Sequence, residues 1–254
     1  MISIITTLYN YKHFIPELAD SIFKQTYSDW EWIIVDDAST DDPMTVLTHL
    51  VNDDRIRIFR LEENKGYSFA KNVGIRASSG EYITMIDADD VLTENSLYNR
   101  LNELIMHPNV MWVHGDALNY NEDGDIEETY IRWNTTKRKQ LLEQGWDLSR
   151  QYHHRLIHAQ TVMMRREFYE QLGLYDETLR FSSDNEMWRR AIRFGYIPRY
   201  IPTPVAIYRA HPDRMSRSAY KKQRIQEVKK YILEIVERRF KEGINAANTP
   251  ILRS

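Results

Sequence analysis

Strand and helix patterns alternate along the first third of this chain, and this alternation limits the folds that the chain can adopt. Four apolar runs have the length and composition of buried strands: residues 2–8, 31–35, 56–61 and 82–86. Helical spacing separates them, with Pro16 and Pro43 where two helices begin and Ser68 as the expected cap of a third. Such an alternation is typical of a parallel sheet covered on both faces. The sequence therefore predicts an α/β fold whose strands end along one shared edge.

The pattern changes in the second half of the chain. Residues 117–120 and 126–133 predict a hairpin with Asp123 and Gly124 in its turn. A partial calcium-loop pattern overlaps this turn, but Tyr130 stands where a bidentate carboxylate is needed, which favours the hairpin. Residues 134–160 show little periodicity and are interpreted in part as a loop. The other predicted elements are helices at 95–106, 166–172, from Asp184 and at 219–241, and strands at 110–113, 161–164, 197–201 and 205–208.

The composition excludes several classes of protein. Cysteine is absent from the 254 residues, which rules out disulfide scaffolds, cysteine-bound zinc and thiol catalysis, and suits a reducing, cytoplasmic compartment. The formal net charge of −3 gives no general argument for nucleic-acid binding. No apolar run approaches the roughly 20 residues of a membrane span. Residues 1–5 have the pattern of a first strand and lack the basic start of a signal peptide.

Three carboxylates, Asp87, Asp89 and Asp90, follow the fourth predicted strand. Acidic side chains this close to a buried strand are costly unless a positive group neutralises them. Mg²⁺ and Mn²⁺ bind carboxylate oxygens and often share them with substrate phosphates, and ligands of open α/β sheets bind beyond the strands' carboxyl ends. A solvated turn with an aspartate N-cap is the simpler interpretation of the triplet alone. An EF-hand loop does not fit, because the required glycine and glutamate are missing.

Five segments carry a resemblance that unites these observations: residues 3–10, 25–41, 64–83, 87–89 and 164–190. Taken in order, they make the chain resemble the family-2 glycosyltransferases of the GT-A fold over about residues 1–210. The resemblance implies a mostly parallel central sheet with helices on both faces and a C-terminal amphipathic helix. It also implies a transferase domain at 1–218, with a nucleotide-binding half at about 1–115 and an acceptor-binding half at about 116–218. Residues 219–254 would then form a separate helix and tail.

The resemblance assigns seven residues to the nucleotide-sugar site, and two of them, Asp87 and Ala88, belong to the metal motif. It implies that Thr7, Tyr9 and Asp37 hold the nucleotide, where the Asp37 carboxylate can accept a hydrogen bond from a ring N–H of uracil or guanine. For Asp37 alone, a local Asx-turn is the alternative. The resemblance also implies a nucleotide contact for Lys71, which stands where arginine is more usual in the family. Arg209, like Arg214 and Arg217 after it, is a candidate partner of the diphosphate.

The same resemblance assigns the metal motif. It implies that Asp89 binds Mn²⁺ or Mg²⁺ directly, and that Asp87, with Ala88 beside it, contacts the ribose or a metal-bound water. His211 resembles a histidine that, in some members, closes over the diphosphate or completes the metal shell, and a lone surface histidine is the alternative. Asp90 is interpreted as a helix cap.

The resemblance implies that Asp184 is the catalytic base. An acceptor hydroxyl is a poor nucleophile, and a positioned carboxylate that takes its proton lowers the barrier. One base and in-line attack imply inversion at the anomeric carbon. Ser183 stands where glutamate is common, and the Gln-x-x-Arg-Trp motif of processive synthases is missing, so a single-sugar transferase is expected. His158 is at most a wall of the acceptor site, and a metal cluster with His153 and His154 is disfavoured by their spacing.

Three other functions compete with this interpretation. A nucleotidyltransferase usually needs a glycine-rich basic loop, which residues 8–13 lack, whereas a non-catalytic nucleotide-sugar or glycan-binding module remains open. No Gly-x-Gly-x-x-Gly motif supports a dehydrogenase. A UDP-sugar is the favoured donor and a saccharide hydroxyl the favoured acceptor. The basic helix at 219–241 is expected to dock by its apolar face, with peripheral membrane contact or an oligomer interface as alternatives.

Overall fold

The structure, a computed structural model, describes residues 1–120, 126–130, 157–209, 211 and 219–243. The strands are β1 (Ile2–Leu8), β2 (Trp30–Asp36), β3 (Ile56–Arg60), β4 (Tyr82–Met85), β5 (Val91–Leu92), β6 (Trp112–Tyr120), β7 (Ile126–Tyr130), β8 (Val162–Arg165) and β9 (Arg199–Arg209). The helices are α1 (Ile15–Phe23), α2 (Met44–Leu47), α3 (Tyr67–Ala77), α4 (Ser96–Met106), α5 (Arg166–Leu172), α6 (Ser183–Arg193) and α7 (Ala219–Lys241).

One sheet contains all the described strands, in the order β3-β2-β1-β4-β8-β6-β9-β5, with β7 paired to β6. The first four strands of this order are parallel, as is the β6–β9 pair. The four remaining pairings in the described part are antiparallel. The predicted α/β fold is therefore confirmed. The sheet as a whole is mixed, because β8 enters antiparallel between β4 and β6 and separates the two parallel groups.

Helices cover both faces of the sheet, as predicted. Neighbouring residues of β1 point to opposite faces, and Ile4 and Ile5 accordingly belong to two different buried clusters. The Ile4 cluster includes residues from α1 and α4, and the Ile5 cluster includes Phe168 of α5 and Trp188 of α6. The sheet is thus the middle layer of a three-layer domain.

Two pairs of predicted short strands are continuous in the structure. The predicted strands at 110–113 and 117–120 form the single β6, and those at 197–201 and 205–208 form the single β9. The pairing of β6 with β9 shifts register next to Gly115, and these shifts let both strands continue through irregular sequence. A Cβ at Gly115 would lie 2.8 Å from Val205 Cγ2, so the absent side chain allows this close approach. The two-residue β5 was not predicted, and only its pairing with β9 identifies it.

The predicted hairpin is confirmed by the antiparallel pairing of β6 with β7. Its turn, with Asp123 and Gly124, lies outside the described residues. So do Arg214, Arg217 and most of the predicted loop at 134–160, including His153 and His154.

The last helix, α7, has the predicted bounds and packs by its apolar face. Ile232, Ile235 and Val236 are buried against Leu179, which precedes α6. Docking against the rest of the chain, the expected arrangement for this helix, is therefore what the structure contains. Among the described helices, none combines the length and the low polarity needed to cross a bilayer.

Candidate active site

The carboxyl ends of β1, β2 and β4 meet at one edge of the sheet. Thr7, near the end of β1, is paired with Val35 of β2. The N–H of Asp37 donates to the carbonyl of Leu8 at 2.8 Å, which keeps the two strand ends together beyond the sheet. Thr7 is partly buried and Tyr9 is exposed at this edge. The structure thus brings these three predicted nucleotide-binding residues to adjacent strand ends.

The carboxylate of Asp37 shapes the loop that leads into α3. Its two oxygens accept hydrogen bonds from the backbone N–H of Lys65 at 2.7 Å and of Gly66 at 2.8 Å. Burial raises the pKa of Asp37, and these two backbone donors oppose that rise. The contacts span 28 and 29 positions, so Asp37 does not form the local Asx-turn that was its alternative.

Asp87, Asp89 and Asp90 form one cluster just beyond β4, with ligand atoms all within 4.8 Å of one another. Asp87 accepts a hydrogen bond of 2.7 Å from the hydroxyl of Tyr67. Asp89 Oδ2 lies 2.9 Å from Nε2 of His211. The neighbouring Ala88 is buried in the core, which fixes the backbone between the first two carboxylates.

Asp90 belongs to this cluster, and its interpretation as a helix cap is wrong. The next helix, α4, begins only at Ser96. Instead, Asp90 Oδ1 accepts a hydrogen bond of 2.8 Å from the backbone N–H of Arg209 in β9. The other oxygen, Oδ2, is buried without a hydrogen-bond partner in the described part of the chain. A buried acceptor of this kind is costly unless a ligand completes it.

The electrostatics of the cluster favour a cation. Burial raises the pKa of Asp87 to about 6; Asp89 adds to the rise and the ammonium of Lys71 opposes it. Burial, with Asp89 and Asp87, also holds the pKa of Asp90 well above its usual range. Clustered oxygen donors with an excess of negative charge are what Mg²⁺ and Mn²⁺ bind. The residues present therefore fit a divalent cation.

His211 approaches the cluster from the end of β9. Its ring packs against Tyr11 and Phe14, with centroid distances of 5.4 and 5.1 Å. These contacts leave its side chain 11% exposed, so the lone surface histidine that was the alternative is wrong. The ring is held with Nε2 against Asp89.

Arg209 binds the other side of the cluster. Its Nε donates to the backbone carbonyl of Asp89 at 3.1 Å, and its guanidinium forms an ion pair with Glu17 of α1. The guanidinium carbon also lies 5.0 Å from the Phe14 ring and 4.9 Å from the Tyr120 ring. The predicted diphosphate partner is thus next to the carboxylates, with its charge already shared with Glu17.

Asp184 lies in the first turn of α6, after Ser182, which has a left-handed backbone with φ of 62°. Lys71 of α3 donates a hydrogen bond of 2.5 Å to Asp184 Oδ1. The Lys71 side chain is buried, and its ammonium lies 3.8 Å from the Tyr67 ring centroid and 4.8 Å from that of Tyr175. In this structure Lys71 therefore binds the proposed catalytic carboxylate.

The segment before α6 is held by buried polar side chains of α3. Asn72 and Tyr175 exchange two hydrogen bonds, at 2.9 and 3.0 Å, through the amide side chain and the tyrosine backbone. Ser68 donates its hydroxyl to the carbonyl of Leu179, and so the expectation that it caps α3 is wrong. These contacts position the start of α6 over α3.

Two tyrosines of this site were not predicted. Tyr67 and Lys71 are four residues apart in α3, a spacing that places two side chains on one face of a helix. The sequence therefore contained a signal that Tyr67 lies beside Lys71. Tyr175 has no comparable signal, because only the folded chain brings it to α3. His158, the proposed wall of the acceptor site, lies with its ring 5.7 Å from that of Tyr208, next to Arg209.

Comparisons with known proteins identify the family and the fold of the chain. The profile described as "Glycosyl transferase family 2" matches residues 3–173. The chain is 30% identical over 226 residues to the uncharacterized glycosyltransferase EpsJ of Bacillus subtilis, which covers 87% of this chain and 64% of EpsJ. This chain spans 42%, 64% and 54% of the length of three curated relatives, which are longer proteins.

Two solved structures show the same fold. TarS of S. aureus in complex with UDP-GlcNAc has a TM-score of 0.68 at 19% identity, over 86% of this chain and 61% of that chain. The mannosyltransferase PcManGT of Pyrobaculum calidifontis, in complex with GDP-Man and Mn²⁺, has a TM-score of 0.63 at 21% identity, over 89% and 60%. The GT-A fold predicted from the sequence is therefore confirmed.

Proposed function

The chain belongs to glycosyl transferase family 2, and we propose that it moves one sugar from a nucleotide-diphosphate sugar to an acceptor hydroxyl, with inversion at the anomeric carbon. One observation carries this proposal: contacts run from Asp87 through Tyr67 and Lys71 to Asp184. The carboxylate cluster and the candidate base are thus parts of one site, as transfer from a bound donor requires.

The donor would bind along the edge formed by β1 and β2. Thr7 and Tyr9 would contact the nucleoside, and Asp37 would accept from a ring N–H of the base with the lone pairs that Lys65 and Gly66 leave available. The solved complexes of TarS with UDP-GlcNAc and of PcManGT with GDP-Man support a nucleotide-sugar donor. A UDP-sugar is our first choice.

Asp89 would bind Mn²⁺ or Mg²⁺ directly, with Asp87 at the ribose or at a metal-bound water and His211 as the neighbouring nitrogen donor. Bound there, the cation would act as a Lewis acid that stabilises negative charge on the leaving diphosphate. The Mn²⁺ in the PcManGT complex and the orphaned oxygen of Asp90 support this site. Arg209 would add a positive charge on the same side.

Asp184 would take the proton of the acceptor hydroxyl. As that oxygen forms a bond to the anomeric carbon, the bond from this carbon to the diphosphate oxygen breaks, and the diphosphate leaves with the electron pair. Attack on the face opposite the leaving group inverts the anomeric configuration. Lys71 would orient the Asp184 carboxylate, since burial holds the lysine side chain in place against it.

The acceptor, location and domain division belong to the same proposal. A saccharide hydroxyl would enter beside α6, within the half at about 116–218, while residues 1–115 hold the donor. The protein would work in the cytoplasm. If residues 219–241 touch a membrane surface, they would do so through exposed positions, because Ile232, Ile235 and Val236 already pack on Leu179.

A thermal-shift panel tests the proposal. UDP, GDP, UDP-GlcNAc and GDP-mannose are each added with Mn²⁺, Mg²⁺ or EDTA, since a ligand that binds the folded state raises the Tm by mass action. We expect one nucleotide series to raise the Tm only with metal. Asp89→Ala should abolish this shift, and Asp54→Ala, at an exposed carboxylate, should retain it. No shift with any nucleotide would contradict the proposal. A shift without turnover would favour the non-catalytic binding module.

A further inference from the structure

The helix that carries Asp184 is anchored by a second carboxylate on its opposite side. Glu186 follows two positions later, about 200° around the helix, and is fully buried. Its Oε2 accepts a hydrogen bond of 2.9 Å from Arg190, whose guanidinium also donates to the carbonyl of Leu174 at 2.8 Å. Glu186 is therefore fixed on the inner side of α6, facing away from the site.

The other oxygen of Glu186 is bound by the C-terminal helix. Arg239 of α7 donates to Glu186 Oε1 at 2.7 Å and, through its second nitrogen, to Asp176 Oδ2 at 3.1 Å. Arg239 is 20% exposed and Asp176 is buried. One guanidinium thus joins α6 to the segment that leads into it, in the forked geometry that arginine provides.

This arrangement fixes the rotation of α6 about its axis. Arg239 of α7 binds Glu186, and Arg190 of α6 donates to the carbonyl of Leu174 outside the helix. Turning α6 would therefore break a charge-assisted hydrogen bond at Arg239 or at Arg190. The same rotation sets where the carboxylate of Asp184 points. With α6 fixed, Asp184 is directed toward Lys71.

We propose that Arg239 is a positioning residue for Asp184, acting through Glu186 and Asp176. This inference rests on the proposed role of Asp184 as the base. On this inference, α7 contributes to the geometry of the transfer site. The family profile matches residues 3–173 and so does not include α7. We also expect that residues 1–218 alone do not form a complete enzyme.

The test compares Arg239→Ala with Ile235→Val in the full chain, using the donor that the thermal-shift panel selects. Ile235 is buried in the same helix against Leu179, and its apolar side chain forms neither ion pairs nor hydrogen bonds. We expect Arg239→Ala to lower kcat by about 10- to 100-fold, since a misplacement on the order of 1 Å can cost that much. The KM for the donor should change by less than about twofold, because the substitution does not alter the edge of β1 and β2 where the donor would bind. Ile235→Val should keep the wild-type kcat.

Two further readouts separate positioning from simple stabilisation. Arg239→Lys should recover part of kcat, because an ammonium can serve one of the two carboxylates. A crystal structure of Arg239→Ala should show the distance from Lys71 Nζ to Asp184 Oδ1 increased by on the order of 1 Å. An unchanged distance, or a kcat equal to that of Ile235→Val, would overturn the inference.

Asp184→Asn separates this inference from the proposed function. If the wild type transfers sugar and Asp184→Asn does not, a fully active Arg239→Ala overturns the positioning role alone. If the wild type transfers no sugar, or if Asp184→Asn is fully active, the proposed function is wrong. The positioning role of Arg239 is then wrong as well.

Discussion

The ammonium of Lys71 donates a hydrogen bond of 2.5 Å to the carboxylate of Asp184, between residues 113 positions apart. The lysine side chain is only 1% exposed, and Asp184 is 23% exposed. The pair therefore joins α3 to α6, while part of the Asp184 side chain stays exposed, as its proposed role toward an acceptor requires.

Replacement of Lys71 should affect both stability and transfer. Lys71→Met leaves Asp184 without its cation, so we expect the free energy of unfolding to fall by about 1–3 kcal/mol and transfer to drop sharply. Lys71→Arg keeps the charge and should retain part of the activity. Urea unfolding and initial rates measure these effects. Wild-type transfer by Lys71→Met would contradict the orienting role of the lysine.

The hydroxyl of Tyr67 should contribute to metal affinity. Tyr67→Phe removes the hydrogen bond to Asp87 but keeps the ring beneath Lys71. We expect the Kd for Mn²⁺ to rise by about 10-fold or more, since hydrogen bonds to the groups around a metal site typically have effects of that size. Calorimetric titration of Mn²⁺ gives the constant. Tyr98→Phe, at an exposed tyrosine, is the control and should bind as the wild type does.

The carboxylate cluster should make the metal-free protein less stable as the pH rises. Burial raises the pKa of Asp87 from 3.8 to about 6. The folded state therefore binds more protons than the unfolded state between these values, and the cluster's contribution to stability falls as the pH rises through that window. Asp90, whose pKa lies well above its usual range, extends the effect to higher pH.

Asp90→Asn tests this electrostatic account. The amide oxygen can still accept from Arg209 N–H, but the charge is gone. In EDTA, the variant should gain stability over the wild type by about 1–3 kcal/mol at about pH 7, and by less at about pH 4. Urea unfolding at both pH values measures the difference. A variant less stable than the wild type at neutral pH would show that the carboxylates do not repel one another.

The packing of α7 can be tested with two adjacent residues. Ile232 is 2% exposed against Leu179, whereas Leu233 is 52% exposed. Ile232→Ala should lower the free energy of unfolding by about 2–5 kcal/mol, as for other core truncations. Leu233→Ala should change it by less than about 0.5 kcal/mol. Equal effects in the two variants would mean that α7 is not docked as described.

The features that the sequence predicted correctly have local causes. The bounds of β1 and α7 follow from apolar periodicity within each segment. The carboxylates after β4 were found because they stand together in the sequence and because open α/β sheets bind ligands at that edge. The family resemblance then added Asp184, whose position beside α3 no local pattern indicates.

The features that the sequence missed depend on distant contacts. Asp90 is bound by Arg209, 119 positions away, and so its local pattern indicated only a cap. β6 and β9 are continuous because they pair across bulges near Gly115, whereas their sequences contain turn-like glycine and proline residues. The link from Arg239 to Glu186 spans 53 positions and joins two helices whose separate patterns do not indicate which faces meet.

The measurement that tests the central claim most directly is release of nucleoside diphosphate by the wild type and by Asp184→Asn. Both proteins are first matched for donor binding by thermal shift with Mn²⁺, and the acceptors are a panel of saccharides. We predict equal donor binding and a rate for Asp184→Asn lower by about 100- to 10,000-fold, the usual contribution of a general base. Equal rates for the two proteins would contradict the assignment of Asp184 as the base that activates the acceptor.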